Sequence, residues 1–300
     1  MNQPADRGAA VQASAVPDGT GRTFGREPML VRQFEAKRFL WGDEESGQIS
    51  DLIYGRGERI SAVSYALGPG HWFGASKTWR PHYDQHRFYY VAAGSLAIHD
   101  PQSGQVEVAS RGSAITWRGA RYHFGYNAGS EEVTVLDWFA PPDRGLGVPE
   151  IETSPAKPEL GAVAGGRYEL LGAWPDRRPE VLAATLAEGG LAVVGPHNAL
   201  HFVHGSRRPL LVSILSSSDQ LTAGTFTLVG GSRSEPEQHP GDEVVYAVSG
   251  RLNVHLPGRG DWFELNPLDC LYIPEGVSHE YWSYGAGPAT AVFCVAPRYR

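Results

Sequence analysis

The segment Gly250-Arg-Leu-Asn-Val-His-Leu-Pro257 repeats an earlier segment, Gly94-Ser-Leu-Ala-Ile-His-Asp-Pro101, which lies 156 positions upstream. The same distance separates two further matches, which are His123 with His279 and Ala140-Pro141 with Ala296-Pro297. One distance that holds across several separated segments is the pattern of an internal repeat. The chain is therefore predicted to contain two copies of one domain.

Upstream, residues 60–67 match residues 221–228 at a distance of 161 positions. The first copy therefore holds about five additional residues before Gly94, around residues 71–80. We expect a leader at residues 1–25, a first domain at 26–142, a proline-rich linker at 143–160 and a second domain at 161–300.

Short apolar segments separated by turn residues dominate both copies, and the chain contains 37 Gly and 22 Pro. This composition and the near absence of helical periodicity predict an all-β fold, with two tandem jelly-roll β-barrels as its architecture. Residues 181–188 could add one short helix. The predicted strands of the second copy include residues 210–216, 224–229, 243–248, 251–256, 270–273, 280–284 and 289–295.

The composition argues against several classes of function. The net charge is −7 and no dense basic segment occurs, which argues against binding to nucleic acid. No run of about 18 to 20 apolar residues is present, and residues 1–23 lack an apolar signal core, so a cytoplasmic protein without membrane contact is expected. Cys270 and Cys294 are expected to be core thiols.

Ligand-type side chains cluster in two segments of the second copy, Glu237-Gln-His-Pro-Gly-Asp-Glu243 and Pro274-Glu-Gly-Val-Ser-His279. Residues two apart on a strand share a face, so Glu237 and His239 are expected to converge. Glu243 follows a Pro-Gly turn, and His279 follows a Pro-x-Gly turn. Two imidazoles and two carboxylates predict a site for one divalent metal ion.

These segments resemble the two motifs of the cupin family. The first family motif is His-x-His, three or four residues, Glu, six residues and Gly, and it is matched at His239, Glu243 and Gly250. The second motif, Pro-x-Gly-x-x-His, is matched by residues 274–279. The resemblance is good over residues 231–297, and the repeat extends it to residues 55–141. The whole chain thus resembles a bicupin.

Glu237 replaces the first histidine of the family motif. Cupins that resemble ureidoglycine aminohydrolases carry Glu-x-His here together with manganese, so the resemblance makes Glu237 either a metal ligand or a catalytic base. A carboxylate favours Fe(II) or Mn(II), with Zn or Ni as alternatives. The predicted metal ligands are Glu237, His239, Glu243 and His279. A decayed site, in which these side chains only bond one another, is the structural alternative.

The first copy departs further from the motifs. At the distance of 156, Arg87 stands opposite Glu243. A slip by one residue would instead allow a second metal site at His82, His86 and His123. Arg87 would repel a cation, and suits a substrate carboxylate or a structural role.

Aromatic side chains crowd both copies, and most are expected in the core. We predict Tyr246, Tyr272, Tyr281 and Arg87 as substrate-binding residues, since an aromatic cavity beside a metal suits a planar or apolar organic molecule. His197, His201 and His204 lie outside the motifs and are expected at the surface or an interface.

Three functions follow from these observations. The first is an Fe(II)-type oxygenase that acts on a small organic, aromatic-type substrate. The second is a redox-neutral Mn- or Zn-dependent hydrolase, isomerase, lyase or decarboxylase in which Glu237 moves a proton. The third is a ligand-binding bicupin without turnover. The resemblance also suggests a homodimer, which a mass of 32.6 kDa by light scattering would contradict.

Overall fold

A computed structural model describes residues 21–74, 85–100, 105–118, 123–142 and 190–300. The predicted linker, the helix at 181–188, His82 and most of the leader lie outside these residues. Within them nearly all regular structure is β, and the one helical element is a 3₁₀ turn at Gln33–Glu35. No helix of the described residues is long and apolar enough to cross a membrane. The all-β prediction is confirmed.

Twelve strands lie in the described residues before position 143. They are β1 (Arg22–Thr23), β2 (Met29–Val31), β3 (Lys37–Asp43), β4 (Gly47–Arg56), β5 (Ser61–Leu67), β6 (Trp72–Phe73), β7 (His86–Ala93), β8 (Ser95–His99), β9 (Val106–Ser110), β10 (Ala114–Trp117), β11 (Phe124–Tyr126) and β12 (Val133–Ala140).

Ten strands lie in residues 190–300, and they agree closely with the strands predicted for the second copy. They are β13 (Ala192–Val194), β14 (Leu200–His204), β15 (Leu210–Ser217), β16 (Thr222–Leu228), β17 (Asp242–Ser249), β18 (Leu252–Leu256), β19 (Asp261–Leu265), β20 (Cys270–Ile273), β21 (Glu280–Trp282) and β22 (Ala289–Ala296).

Each half of the chain forms one barrel from a large and a small sheet. The first barrel combines an eight-stranded sheet, β1-β4-β5-β12-β7-β10-β13 with β3 on β4, and the small sheet β6-β11-β8-β9. The second combines the seven-stranded sheet β14-β15-β16-β22-β17-β20-β2 and the small sheet β19-β18-β21. The order β5-β12-β7-β10 recurs as β16-β22-β17-β20, so the repeat seen in the sequence is a repeat of topology.

The two barrels exchange edge strands. Met29–Val31 (β2) pairs with β20 of the second barrel, and Ala192–Val194 (β13) pairs with β10 of the first. The predicted domain boundaries assign each of these strands to the other barrel. Exchange covers a sheet edge in each barrel, which would otherwise leave backbone N–H and C=O groups unpaired.

The pairing register establishes which residues of the two barrels are equivalent. Arg87 pairs with Phe139, as Glu243 pairs with Val295, so both pairs keep the distance of 156. The one-residue slip that would bring His86 to the Glu243 position is therefore wrong. Gly94 and Gly250 have φ of +69° and +71° at the equivalent turn, where a Cβ at Gly250 would lie 2.1 Å from a carbonyl oxygen. Only glycine fits this turn without displacement of the backbone.

The faces of the two large sheets that turn away from the barrel interiors meet in a shared apolar core. Tyr54, Trp138, Tyr246 and Cys270 belong to one buried cluster that draws on both barrels. The Tyr246 ring lies 4.9 Å from that of Tyr54 and 5.1 Å from that of Trp138. The large sheets are thus buried on both faces.

His86 lies at the contact between the barrels. Its Nδ1 is 2.7 Å from Ser218 Oγ, and its Nε2 is 2.8 Å from Thr116 Oγ1 and 3.0 Å from Ser216 Oγ. Burial lowers the pKa of His86 from 6.5 to about 4, and the charge of Arg118 adds to this effect. His86 is therefore neutral in the folded protein at neutral pH.

Acid is expected to destabilise the protein through His86. The pKa of His86 is lower in the folded than in the unfolded chain. The stability that depends on neutral His86 is therefore fully present above pH 6.5 and is lost as the pH falls through about 4. The loss reaches about 3 kcal/mol, at 1.36 kcal/mol per pKa unit. Urea unfolding measures the free energy of unfolding at pH 7 and at pH 4. The decrease between these pH values should be about 3 kcal/mol larger in the wild type than in His86→Gln. His197 is exposed, so the control variant His197→Gln should behave like the wild type. A loss of stability in His86→Gln equal to that of the wild type would contradict the role assigned to His86.

Candidate metal centre in the second barrel

A short backbone bridge brings the two sequence motifs together. Glu237 N–H donates to the carbonyl of His279 at 2.8 Å, and His279 N–H donates to the carbonyl of Glu237 at 2.9 Å. Directly opposed residues of an antiparallel pair project to the same side. The bridge therefore places the side chains of Glu237 and His279 side by side, with His239 two residues further along the same face.

The turn between β20 and β21 is bonded to the backbone of His239. The Gly276 N–H donates to the carbonyl of His239 at 2.9 Å, and Gly276 has a φ of +73°, which explains the glycine of the second motif. Glu243 follows at the start of β17 and points into the barrel. Each of the four predicted ligands thus lies on the inner side of the second barrel.

The ligand atoms of these side chains converge on one point. Atoms of Glu237, His239 and His279 all lie within 4.8 Å of one another. Glu243 Oε2 lies 2.9 Å from His279 Nε2 and 3.5 Å from His239 Nε2, and Glu237 Oε2 lies 3.9 Å from His239 Nε2. The four predicted side chains therefore lie together, and their role as metal ligands stays a prediction. In the described residues no other group of this kind occurs.

The hydrogen bonds around the cluster fit a cation at its centre. His239 Nδ1 lies 2.9 Å from the carbonyl of Tyr299, and His279 Nδ1 lies 3.0 Å from the carbonyl of Val277. Both carbonyls require a proton on Nδ1, so in the neutral rings the Nε2 lone pairs point inward. Nε2 of both histidines and Oε2 of Glu243 are buried and have no hydrogen-bond partner with good geometry. Such unsatisfied buried atoms suit metal ligation.

Glu243 and His279 form a coupled buried pair when no metal is bound. Burial opposes the charge on His279, but the Glu243 carboxylate outweighs it and raises the pKa of His279 to about 9. Burial likewise opposes the charge on Glu243, and the neighbouring His279 nevertheless lowers its pKa. A divalent cation bound here would replace the proton of His279 as the partner of the carboxylate.

Three residues outside the motifs hold the carboxylates. The Tyr281 hydroxyl donates to Glu243 Oε1 at 2.6 Å, and the Tyr299 hydroxyl donates to Glu237 Oε2 at 3.4 Å. His204 Nδ1 lies 3.7 Å from Glu237 Oε2. The His204 side chain is 16% exposed, so it lies at the partly covered edge of the site and faces Glu237. Neither His204 on β14 nor Tyr299 near the chain end has a motif that the sequence could have revealed.

Two of the predicted substrate-binding residues lie elsewhere. Tyr246 and Tyr272 face the shared core, and Tyr272 stacks on Phe24 at 4.5 Å. On β17, Glu243 and Val245 point into the barrel, so the even-numbered Tyr246 must point away from it. Tyr281 does lie at the centre, where its hydroxyl supports Glu243.

The second predicted metal site does not assemble. His86 lies in the contact between the barrels, whereas His123 Nε2 lies 2.9 Å from the Tyr89 hydroxyl on the small-sheet side of the first barrel. His82 is outside the described residues. Arg87 points into the first barrel and donates to Asp137 Oδ2 at 2.9 Å, so its charge is already paired. An ion pair therefore occupies the place of the Glu243 ligand.

Tyr281→Phe is expected to weaken metal binding by about 10- to 100-fold, because hydroxyl groups that orient a ligating carboxylate contribute on this scale. Titration of metal-free protein with Mn²⁺, followed by calorimetry, measures the change in Kd. The control Tyr284→Phe removes an exposed hydroxyl, since Tyr284 is 77% exposed. An unchanged Kd in Tyr281→Phe would show that Glu243 needs no support.

Comparisons with known proteins agree with the geometry. A family model described as Cupin domain matches residues 224–295. No curated protein shows a significant match to the sequence.

Several solved structures share the architecture of the whole chain. A putative glyoxylate-induced protein from Pseudomonas aeruginosa has a TM-score of 0.62 at 14% identity and covers 100% of this chain and 95% of its own. For oxalate decarboxylase from Lactobacillus farciminis the TM-score is 0.59 at 14% identity, and the match covers 90% of this chain and 86% of the other. For the protein Ylba from E. coli the TM-score is 0.56 at 12% identity, and the match covers 90% of this chain and 91% of the other. At these identities the likeness shows the fold.

The molecule is thus a two-barrel jelly-roll protein with a candidate metal centre in its second barrel. Residues 224–295 match the Cupin domain model, and the fold of the chain is similar to the folds of the solved structures named above.

Proposed function

We propose that the protein is a metal-dependent enzyme that carries out redox-neutral chemistry on a small organic substrate at the second barrel. The observation that carries this proposal is the second carboxylate. Glu237 belongs to the same cluster as His239 and His279, and its side chain is 12% exposed, which leaves it within reach of a substrate. A carboxylate in this position can move a proton.

His239, Glu243 and His279 would hold the metal, with Glu237 as a fourth ligand or as the base. When bound, a divalent ion such as Mn(II), Fe(II) or Zn(II) supplies Lewis acidity toward a carbonyl or a water molecule. Glu237 Oε2 accepts or returns the substrate proton, and the Tyr299 hydroxyl and His204 orient this oxygen. The carbonyls of Tyr299 and Val277 keep both imidazoles in the ligating orientation.

The oxygenase, which the sequence analysis placed first, is kept here as the second candidate. His239, Glu243 and His279 without Glu237 are two histidines and one carboxylate, a set that Fe(II) oxygenases use. Tyr246 and Tyr272 lie in the shared core, so they do not form an aromatic wall beside the metal site. The position of Glu237 supports proton transfer. For these reasons we favour redox-neutral chemistry over the oxygenase.

The test uses full-length protein loaded with Mn²⁺ or Fe²⁺ and a panel of small amides, hydroxy acids and β-keto acids, with products followed by NMR under argon and in air. We expect turnover that does not require oxygen. Glu237→Gln should retain metal and lose about 10²- to 10⁴-fold in kcat, as for loss of a general acid or base. Turnover only in air would favour the oxygenase, and metal binding without any turnover would favour a binding protein.

A further inference from the structure

The interior of the first barrel contains a cavity of about 110 Å³, and none of its lining residues belongs to the candidate metal site of the second barrel. The cavity occupies the position in the first barrel that corresponds to the candidate metal ligands in the second. Its lining includes Arg87 and His123, which are the counterparts of Glu243 and His279. A cavity needs roughly 10 to 15 Å³ to hold one water molecule. This one has room for several waters or for one small organic molecule.

The cavity wall combines charged and aromatic side chains from one face of neighbouring strands. Arg56, Arg87, Asp51 and Asp137 all line it. Arg87 pairs with Asp137 at 2.9 Å, and its guanidinium lies 4.2 Å from the centre of the Phe139 ring. Because Arg87 and Asp137 form an ion pair, this part of the wall carries no net charge, which favours a neutral ligand over an ion.

Two polar side chains in this wall have unused hydrogen-bonding groups. Gln85 is 2% exposed, and both atoms of its amide lack a partner. Asp137 is 5% exposed, and its Oδ1 accepts no hydrogen bond, although Oδ2 is bonded to Arg87. Buried polar atoms normally have partners because an unmade hydrogen bond costs about 1 to 3 kcal/mol. The missing partners are therefore expected from a molecule in the cavity.

We infer that the first barrel is a second binding site, which takes a small, neutral, planar molecule with a cis-amide edge, such as a lactam or an amide-type heterocycle. The free carboxamide of Gln85 can accept from the ligand N–H through Oε1 and donate to the ligand C=O through Nε2. Asp137 Oδ1 can accept one further N–H or O–H. The rings of Tyr65, Phe73 and Phe139 contact the flat faces of the ligand.

Burial supports the need for a donor at Asp137. It raises the pKa of this carboxyl to about 6, against the opposing effect of Arg87. A ligand that donates to Oδ1 would stabilise the carboxylate.

Calorimetric titration of the full-length protein with 2-pyridone tests the inference, because this ring is neutral and planar and carries adjacent N–H and C=O groups. N-methyl-2-pyridone is the matched ligand that lacks the donor, and benzoate and benzylamine are charged rings of similar size. We expect saturable 1:1 binding of 2-pyridone in the millimolar range or tighter, and binding at least about 10-fold weaker for the other three.

Gln85→Leu should weaken 2-pyridone binding at least about 10-fold without loss of thermal stability, since it removes a buried amide that has no partner. His279→Ala, which alters the second barrel, should bind 2-pyridone like the wild type. Equal binding of N-methyl-2-pyridone, tighter binding of benzoate or benzylamine, or no saturable binding would overturn the inference. The ligand comparison stands even if Gln85→Leu does not fold. Loss of binding in His279→Ala alone would also overturn it, by assigning the ligand to the metal centre.

Discussion

His279→Ala is expected to reduce the bound metal from about one ion per chain to a small fraction of that amount. Loss of a residue that merely supports a ligand costs about 10- to 100-fold in affinity, so loss of the ligand itself should cost more. His279 is 1% exposed, and its Nε2 points at the centre of the cluster. Elemental analysis of protein purified without chelator measures the metal content.

The internal repeat offers a matched control for this prediction. His123 is the counterpart of His279 in the first barrel, so His123→Ala removes the same side chain from an equivalent position. We expect it to leave the metal content unchanged, and Glu243→Gln to lower it like His279→Ala. Circular dichroism should show that all three variants fold. Metal retained in His279→Ala, or lost in His123→Ala, would place the metal elsewhere.

Trp138→Ala is expected to lower the free energy of unfolding by about 3 to 5 kcal/mol, the range for removal of a large aromatic side chain from a core. Trp138 is fully buried, and its ring contacts Phe88 of its own barrel and Tyr246 of the other. Because this core joins the two barrels, the cavity left by the missing indole ring would weaken the contact between them as well. Urea denaturation followed by circular dichroism measures the loss.

Trp72→Ala is the matched substitution outside the core, since Trp72 is 47% exposed. It should cost less than about 1 kcal/mol, as substitutions at exposed positions usually do. A similar small loss in Trp138→Ala would mean that the barrels touch without sharing a core. The two measurements together therefore test whether the two halves stabilise each other.

Much of the second barrel was predictable from its own residues. The strand at 270–273 lies where the turns place it, and the four candidate ligand side chains lie together as the motif spacing predicts. These side chains are Glu237, His239, Glu243 and His279. Motif spacing sufficed because two short turns, at Pro240-Gly241 and at Pro274–Gly276, set the geometry locally. His204 and Tyr299 could not be found in this way, because they reach Glu237 only after distant strands pack together.

The direction of the tyrosines was not predictable for a related reason. The segment Asp242–Ser249 is almost uniformly buried, because one face lines the barrel and the other contacts the first barrel. A strand that is buried on both sides lacks the alternation of polar and apolar residues that would identify its inner face. The register with β22 and β20 decides that Tyr246 and Tyr272 point outward.

The amino-acid sequence by itself determined the two-copy repeat and the all-β architecture, and it identified four side chains that the fold brings together as a candidate metal site. Turn residues and strand periodicity sufficed because they act over a few neighbouring positions. The tertiary structure alone decided the exchange of β2 and β13 between barrels, the pairing of Arg87 with Asp137 and the unpartnered amide of Gln85 in the first cavity. These features depend on contacts between residues far apart in the chain. Such contacts form only when the sheets close and the two barrels pack against each other.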